Sequence, residues 1–308
     1  MSLTGPGATA QGERGIALVL VLWVLALLSL IIASFLAITK SETDLAQSQI
    51  ARAEASALAD GGVHWAVARL AERTFVDSER DGGSAVPIDG SPFEASLPGG
   101  TVLIRVYDVS GLIDLNAADA ELLRGLFIAL GTEPVEASRL AARVVDYRDT
   151  DDRPLPGGAE EAEYRAAGLP WGPRNGPFQR EDELRQVVGM PASLASALDP
   201  YVTVSSGSRG IDPEMAPEMV LAAVPGLSPV DVGLILDARR RGEVASGLER
   251  LRNPYLVPSS SGTYRIFADA RSAEGGRFIR DATIQLRGAG ALFSVRHWGQ
   301  ARADQMPE

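Results

Sequence analysis

Apolar residues run without a charge from Ile16 to Ile38, reading IALVLVLWVLALLSLIIASFLAI. As a helix these roughly 23 positions span about 34 Å, enough to cross a hydrocarbon core near 30 Å. The run is too long for the apolar region of a signal peptide. The residues after Phe35, LAITKSETDLAQSQ, continue a helical pattern and offer no small-x-small cleavage site. From Ser41 to Arg73, Leu45, Ile50, Ala53, Ala57, Gly61, Trp65, Ala68 and Ala71 recur at three- and four-residue steps. This predicts one helix of about 55 residues, half in a membrane and half outside, with a small-residue face. Gly61 and Gly62 weaken it by roughly 1 kcal/mol each relative to alanine, and close packing against a sheet or a neighbouring helix would offset that cost.

Past a polar, glycine-rich loop over Glu79 to Gly90 the period shortens. Strands are predicted over Phe93 to Leu97 and Thr101 to Val109, joined by the turn Pro98-Gly99-Gly100. Short helices follow: Ala117 to Leu130, with Asn116 as N-cap and Gly131 as stop, Pro134 to Tyr147, Arg180 to Val188, Pro191 to Leu198, Pro217 to Ala223 and Ser228 to Arg241. Strands return over Thr263 to Ala270, Phe278 to Leu286 and Ala291 to Trp298. The predicted fold class is α+β: a long N-terminal helix on an antiparallel sheet into which a helical domain is inserted. The boundaries are a leader over 1–15, a transmembrane helix over 16–39, an amphipathic helix and first strands over 40–110, the helical insert over 111–258, the remaining strands over 259–300 and a tail over 301–308.

The 308 residues include 40 acidic and 29 basic side chains, for a net charge of −11. That balance repels a phosphate backbone, so no nucleic-acid partner is expected. Cysteine is absent, which excludes disulfides and thiolate metal sites. His64 and His297 lie far apart and no GxSxG, P-loop or HExxH motif occurs, so the chain is not expected to be an enzyme. Trp171 and Trp298 are expected to pack, and Arg148 and Arg180 to pair with nearby acids. The turns Val224-Pro225-Gly226-Leu227 and Val188-Gly189-Met190 resemble helix-hairpin-helix elements, which hold DNA phosphates or simply reverse a chain. With Arg239-Arg240-Arg241 as the densest basic run, the structural role is expected.

Asp146, Asp149, Asp151 and Asp152 fall within seven residues and are followed by proline-glycine turns and by Glu160, Glu161 and Glu163. Carboxylates beside turns that free backbone carbonyls are what calcium uses, yet a solvated acidic loop has the same composition. The spacing and central glycine of an EF-hand are missing.

The leader ends in Arg14-Gly15 against the apolar run, the junction a prepilin peptidase cuts between Gly15 and Ile16. This junction, Asp114-Leu115-Asn116-Ala117, Asp146-Tyr147-Arg148-Asp149, Gly158-Ala159-Glu160 with Tyr164, and Asn175-Gly176-Pro177-Phe178 before Glu183-Leu184 together resemble the type II secretion protein K family of minor pseudopilins. The resemblance implies a pilin-like fold with SAM-like helical elements in the insert. It further implies a single-pass bacterial inner-membrane protein with its C-terminal domain in the periplasm, at the pseudopilus tip. Implied partners are the minor pseudopilins I and J, the major pseudopilin, the prepilin peptidase, the inner-membrane assembly platform and secreted substrates. Cleavage after Gly15 places Leu20 at the fifth mature position, where most pilin-like subunits carry glutamate and protein K members do not. The family's association with calcium favours Asp149, Asp151 and Glu160 as ligands, with Asp152 and Glu163 as further candidates. An asparagine-threonine-alanine motif usual in the family is replaced by Asp212-Pro213-Glu214-Met215-Ala216-Pro217. Alternatives are a minor pilin of a type IV pilus and, from another class, a membrane-anchored DNA-binding protein.

Overall fold

The computed structural model describes residues 12–75, 86–242, 244, 251–258, 261–286 and 293–301. Most of the expected leader and tail, and of the loop after the long helix, lie outside the described residues. Helix α1 runs over Gly12–Phe75, 64 residues without a break, longer at both ends than the sequence pattern indicates. Its segment Leu18–Phe35 has a mean hydropathy of 2.9 and none of it is buried in the fold. Eighteen uncharged, mostly apolar residues in one helix are long enough to cross a membrane.

The second half of α1 lies on a five-stranded antiparallel sheet. The strands are β1 (Phe93–Leu97), β2 (Gly100–Asp108), β5 (Thr263–Ser272), β6 (Arg277–Leu286) and β7 (Phe293–Gln300), paired in that order. The β1–β2 turn closes through Gly99 at φ 99°, a left-handed conformation that favours glycine. Ala55, Leu58, Ala59, Val63, Ala66, Val67 and Leu70 of α1 bury against Val102, Ile104, Val106, Ile266, Ala268, Ala270, Ala282 and Ile284.

The stripe of α1 that meets the sheet differs from the one the periodicity picks out. Leu45, Ile50, Ala53, Ala57 and Ala68 are exposed, and Gly61, Trp65 and Ala71 are half-buried. The expected small-residue face therefore points largely away from the sheet. The helix is apolar on two sides, and the 3.6-residue period cannot say which side finds an internal partner. Gly62 shows how close the packed side comes: a Cβ there would lie 2.7 Å from Val102 Cγ1.

Between β2 and β5 the chain leaves the sheet and builds a second core. This region contains β3 (Ile113–Asp114), α2 (Ala120–Ala129), α3 (Pro134–Arg148), α4 (Glu161–Ala166), a 3-10 turn over Glu181–Gln186, α5 (Ala192–Leu198), β4 (Val202–Thr203), α6 (Glu218–Ala223) and α7 (Pro229–Arg241). Helix α4 and the short parallel pair of β3 with β4 have no counterpart in the sequence prediction. Helix α2 starts three residues later than expected, because Asp119 rather than Asn116 caps it by accepting from the Leu122 N–H at 2.9 Å. Leu122, Leu126, Phe127, Leu140, Tyr147 and Tyr164 centre the insert's core.

One guanidinium ties the two cores together. Arg265 of β5 donates to the Asp199 carbonyl at 3.0 Å and carboxylate at 3.1 Å, and to Asp281 of β6 at 2.8 Å. Burial works to lower its pKa, but Asp281, Asp199 and Glu181 hold it above the ordinary arginine value.

Candidate metal centre

The C-terminal end of α3 and the start of α4 face each other across the loop 149–160. Asp149 sits just past the last residue of α3, its N–H still bonded to the Val145 carbonyl at 3.1 Å. Glu160 occupies the N-cap position of α4. Carboxylate oxygens of Asp149, Asp151 and Glu160 all lie within 4.8 Å of one another. Glu160 is 4% exposed, Asp149 half-buried and Asp151 exposed.

Underneath them is a carboxylate with no exposure at all, Asp146, one turn earlier in α3. Its oxygens accept from the Leu155 N–H at 3.1 Å and from the Ala159 N–H at 2.8 Å, which fastens the far end of the loop to α3. Gly158 leaves room for this contact, since a Cβ there would lie 1.8 Å from Asp146 Oδ2. Gly157 before it turns the chain at φ 83°.

The electrostatics of this arrangement are unfavourable without a cation. Glu160 is pushed up to about 7 by burial and then by Asp146, Asp149, Asp152 and Asp151. Asp149 is raised by burial and by Asp151, and Asp146 mainly by burial. Among the described residues, both Glu160 carboxylate oxygens and Asp149 Oδ1 are buried without a hydrogen-bond partner. Unpaired buried carboxylates are costly, and the negative end of α3 adds to the field. All three donors are hard oxygens, as calcium and magnesium require. The residues present therefore fit a hard divalent cation.

The other two candidate ligands are engaged elsewhere. Glu163 accepts from the Glu160 N–H at 2.8 Å as part of the α4 cap. Asp152 Oδ1 accepts from the Asn175 amide at 3.4 Å. Arg148 does not form the ion pair expected of it. It donates to the Leu115 and Ala118 carbonyls, with Asp114, Asp119 and Asp149 contributing only longer-range attraction. Arg180 does pair with an acid, Asp182, at 2.6 Å.

Several of the short motifs meet around this centre. Asn116 and Phe178 exchange two hydrogen bonds, the side-chain amide donating to the Phe178 carbonyl at 3.0 Å and its oxygen accepting from the Phe178 N–H at 2.7 Å. Phe178 stacks on Tyr147 with ring centroids 4.8 Å apart. Tyr164 accepts from the Val188 N–H at 3.2 Å. Sequence reasoning missed that these side chains are scaffolding for the loop. A signal was present in Asp146, whose helical position one turn before the acidic loop faces inward.

The hairpin turns are used internally. Asn253 donates to the Pro225 carbonyl at 2.7 Å, and Arg143 to the Val188 carbonyl at 3.0 Å. Of the basic run, Arg239 donates to the Pro213 and Ala216 carbonyls and Arg240 pairs with Asp237. Gly15, Ile16 and Leu20 all lie within α1, and Leu20 is 61% exposed.

A long apolar helix on an antiparallel sheet, interrupted by a helical insert with its own core, defines a pilin-like protein. Residues 106–207 match the family model described as Type II secretion system (T2SS), protein K. The chain is 27% identical over 301 residues to the type II secretion system protein K of Klebsiella pneumoniae, covering 90% of each. It is also 27% identical over 252 residues to that of Pseudomonas aeruginosa, covering 75% of this chain and 74% of the other. Its fold is similar, with a TM-score of 0.56 and 21% identity, to a chain in the crystal structure of the GspK-GspI-GspJ complex from the enterotoxigenic Escherichia coli type 2 secretion system. That match covers 86% of this chain and 99% of the other. The chain is thus similar to type II secretion system protein K over most of its length, and its insert carries the family-model match.

Proposed function

We propose that this chain is a minor pseudopilin of a type II secretion system, acting at the tip of the periplasmic pseudopilus to initiate or cap its assembly. It works as a structural subunit and not as an enzyme. Its apolar helix anchors it in the bacterial inner membrane as a single pass, with both cores in the periplasm, until neighbouring subunit helices replace the lipid. Minor pseudopilins I and J are its immediate partners, since the related chain in the solved complex is found with proteins of those names.

The observation that carries this reading is the helical insert between β2 and β5 of a pilin-like sheet, which holds all of the protein K match but its first three residues, at the end of β2. The test is to remove the gene from its host and express the full-length chain with an affinity tag. Loss of exoprotein secretion on deletion, and co-purification of pseudopilins I and J on restoration, are expected. Wild-type secretion in the deletion strain would overturn the assignment.

Asp149, Asp151 and Glu160 would hold a calcium ion, with backbone carbonyls and water completing the six to eight oxygens that the ion takes. The ion supplies charge neutralisation there and no reaction. Bound there, it would let Asp149 and Glu160 hold the end of α3 to the start of α4 against their own repulsion.

A further inference from the structure

The insert is built twice over, and its two halves differ at one place. Ile113, Asp114, Ala118, Leu122 and Leu123 have counterparts 98 residues later in Ile211, Asp212, Ala216, Val220 and Leu221, and all ten are buried. The hydrogen bonds correspond as well. Asp114 Oδ1 accepts from the Asn116 N–H at 2.7 Å, and Asp212 Oδ1 from the Glu214 N–H at 2.8 Å. Arg148 at the end of α3 donates to the Leu115 and Ala118 carbonyls. Arg239 near the end of α7 donates to those of Pro213 and Ala216, at the same offset. Each half is closed by a parallel strand contact, Ile113 with Val202 and Ile211 with Leu256.

The difference lies in what covers the turn before the helical hairpin. In the first half 54 residues separate Arg148 from Val202. That long return lays residues 175–178 against Asn116, whose side chain accepts from the Phe178 N–H and donates to the Phe178 carbonyl. In the second half only 17 residues separate Arg239 from Leu256. There the turn borders a groove of about 600 Å³, with Glu214 in the place of Asn116, Met215, Glu218 and Met219 beside it, and Tyr107 and Asp89 on the side of the sheet. A groove that stands where the twin half holds an extended stretch of chain has the form of a seat for such a stretch.

Its chemistry narrows the occupant. Asn116 offers a seated backbone both a donor and an acceptor, whereas a carboxylate at Glu214 only accepts. Asp89, Glu214 and Glu218 are exposed, and among the described residues none of them forms a salt bridge. Arg239, in the same wall, is spent on the Pro213 and Ala216 carbonyls. Carboxylates around Tyr107, Met215 and Met219 complement a basic segment that carries an apolar side chain. The groove also opens away from α1. Val102, Ile104 and Val106 of β2 pack on that helix, and Tyr107, next in the alternation, belongs to a separate cluster with Phe267 and Ile279. In a filament held together through α1, that face looks outward into the periplasm.

Resting on the reading of this chain as a pseudopilin, we propose that the groove seats an extended basic segment of a secreted protein. Glu214 and Glu218 take its N–H groups and side-chain cations, and Tyr107, Met215 and Met219 take its apolar side chain.

The first probe is a fluorescent peptide with the chain's own sequence from Pro173 to Arg180, PRNGPFQR, which places arginines on either side of Phe178. The first seat is filled from within, so the peptide has only the second to enter. Anisotropy with the full-length chain in detergent should show saturable binding of one peptide per chain. Glu214→Lys with Glu218→Lys should weaken it about tenfold or more, because like charges set against each other at an interface are strongly unfavourable. Glu214→Gln should give a smaller loss, and unchanged melting shows that these surface variants are folded. Absence of saturation, or binding that charge reversal leaves undiminished, would overturn the seat. The second arm identifies the source of the segment. In the host, a photo-cross-linking amino acid replaces Glu218 in one strain and exposed Val135 in another, and adducts are probed with antibodies to a secreted protein and to the pseudopilins. The Glu218 position is expected to capture the secreted protein and the Val135 position is not. Capture only of a pseudopilin or of a second copy of this chain would make the proposed occupant wrong while the functional reading stands. Wild-type secretion in the deletion strain would sink the functional reading itself, and the secreted protein as occupant with it.

Discussion

Glu160 concentrates the chemistry of the insert in one side chain. Its folded pKa lies near 7 against an ordinary 4.5, so the folded chain holds a proton that the unfolded chain has released. The contribution of Glu160 to metal-free stability is therefore fully present below about 4.5 and is lost as pH rises through about 7, by on the order of 3 kcal/mol. In chelator, the soluble part should melt at a lower temperature at pH 7.5 than at pH 5.5. Calcium should reverse this at pH 7.5, raising stability by about 2.7 kcal/mol at a hundred times its dissociation constant. Glu160→Gln should flatten the chelator profile and remove the calcium response together, whereas a calcium-induced shift that survives would displace Glu160 from the site. Gly158→Ala tests the support beneath. The Cβ would force Asp146 off the Leu155 and Ala159 amides, so calorimetric titration should show calcium bound at least about tenfold more weakly. The density of aspartates made the loop conspicuous in the sequence. Composition could not reveal which acids converge, because Asp149 and Glu160 meet only once α3 has ended and the chain has come back to start α4.

At the level of elements, the long helix was legible in its length and position but not in its orientation. Alanines at 53, 57 and 68 keep the helical period as well as those at 55, 59 and 66 do, yet only the second set meets the sheet. The two faces should respond differently to enlargement. Gly62→Leu drives a side chain into Val102 and should destabilise the soluble part by about 1–3 kcal/mol. Ala53→Leu, on the open face, should stay within about 0.5 kcal/mol. Urea denaturation of both variants checks the contrast, and equal losses would mean that the helix is rotated relative to the sheet. The link between the cores is a second element-level feature that sequence could not supply, since Arg265, Asp199 and Asp281 are brought together only by the return of β5. Arg265→Ala leaves two carboxylates unpaired beside each other and should cost about 3–5 kcal/mol. An ordinary surface-sized loss would show that the cores dock without it.

Across the whole molecule, two structural demands are separated along one chain. The sheet and insert bury their cores internally, while Leu18–Phe35 is satisfied only by lipid or by other helices. The order strand, strand, helical block, strand, strand, strand was readable from the changes of period. The closed parallel pair of β3 and β4 was not, because two-residue strands carry no periodic signal. Under the proposed reading, Leu20 is where the membrane half of the molecule bears on assembly. The resemblance implies that a glutamate at this position of other pilin-like subunits meets a neighbour's N-terminal amine, and a subunit proposed to sit at the tip would have no neighbour above it. Leu20→Glu therefore places a carboxylate in the apolar stretch with nothing to neutralise it, at a cost of up to about 3 kcal/mol while the helix remains in lipid. The variant should still insert and be trimmed normally, because the Gly15–Ile16 junction is untouched. Secretion should fall, because the acquired carboxylate favours positions below the tip, where an amine is available. The comparison to make is exoprotein in the medium against the amount of trimmed chain in the membrane. Wild-type secretion at equal trimmed chain would mean that an apolar residue at this position has no part in tip placement.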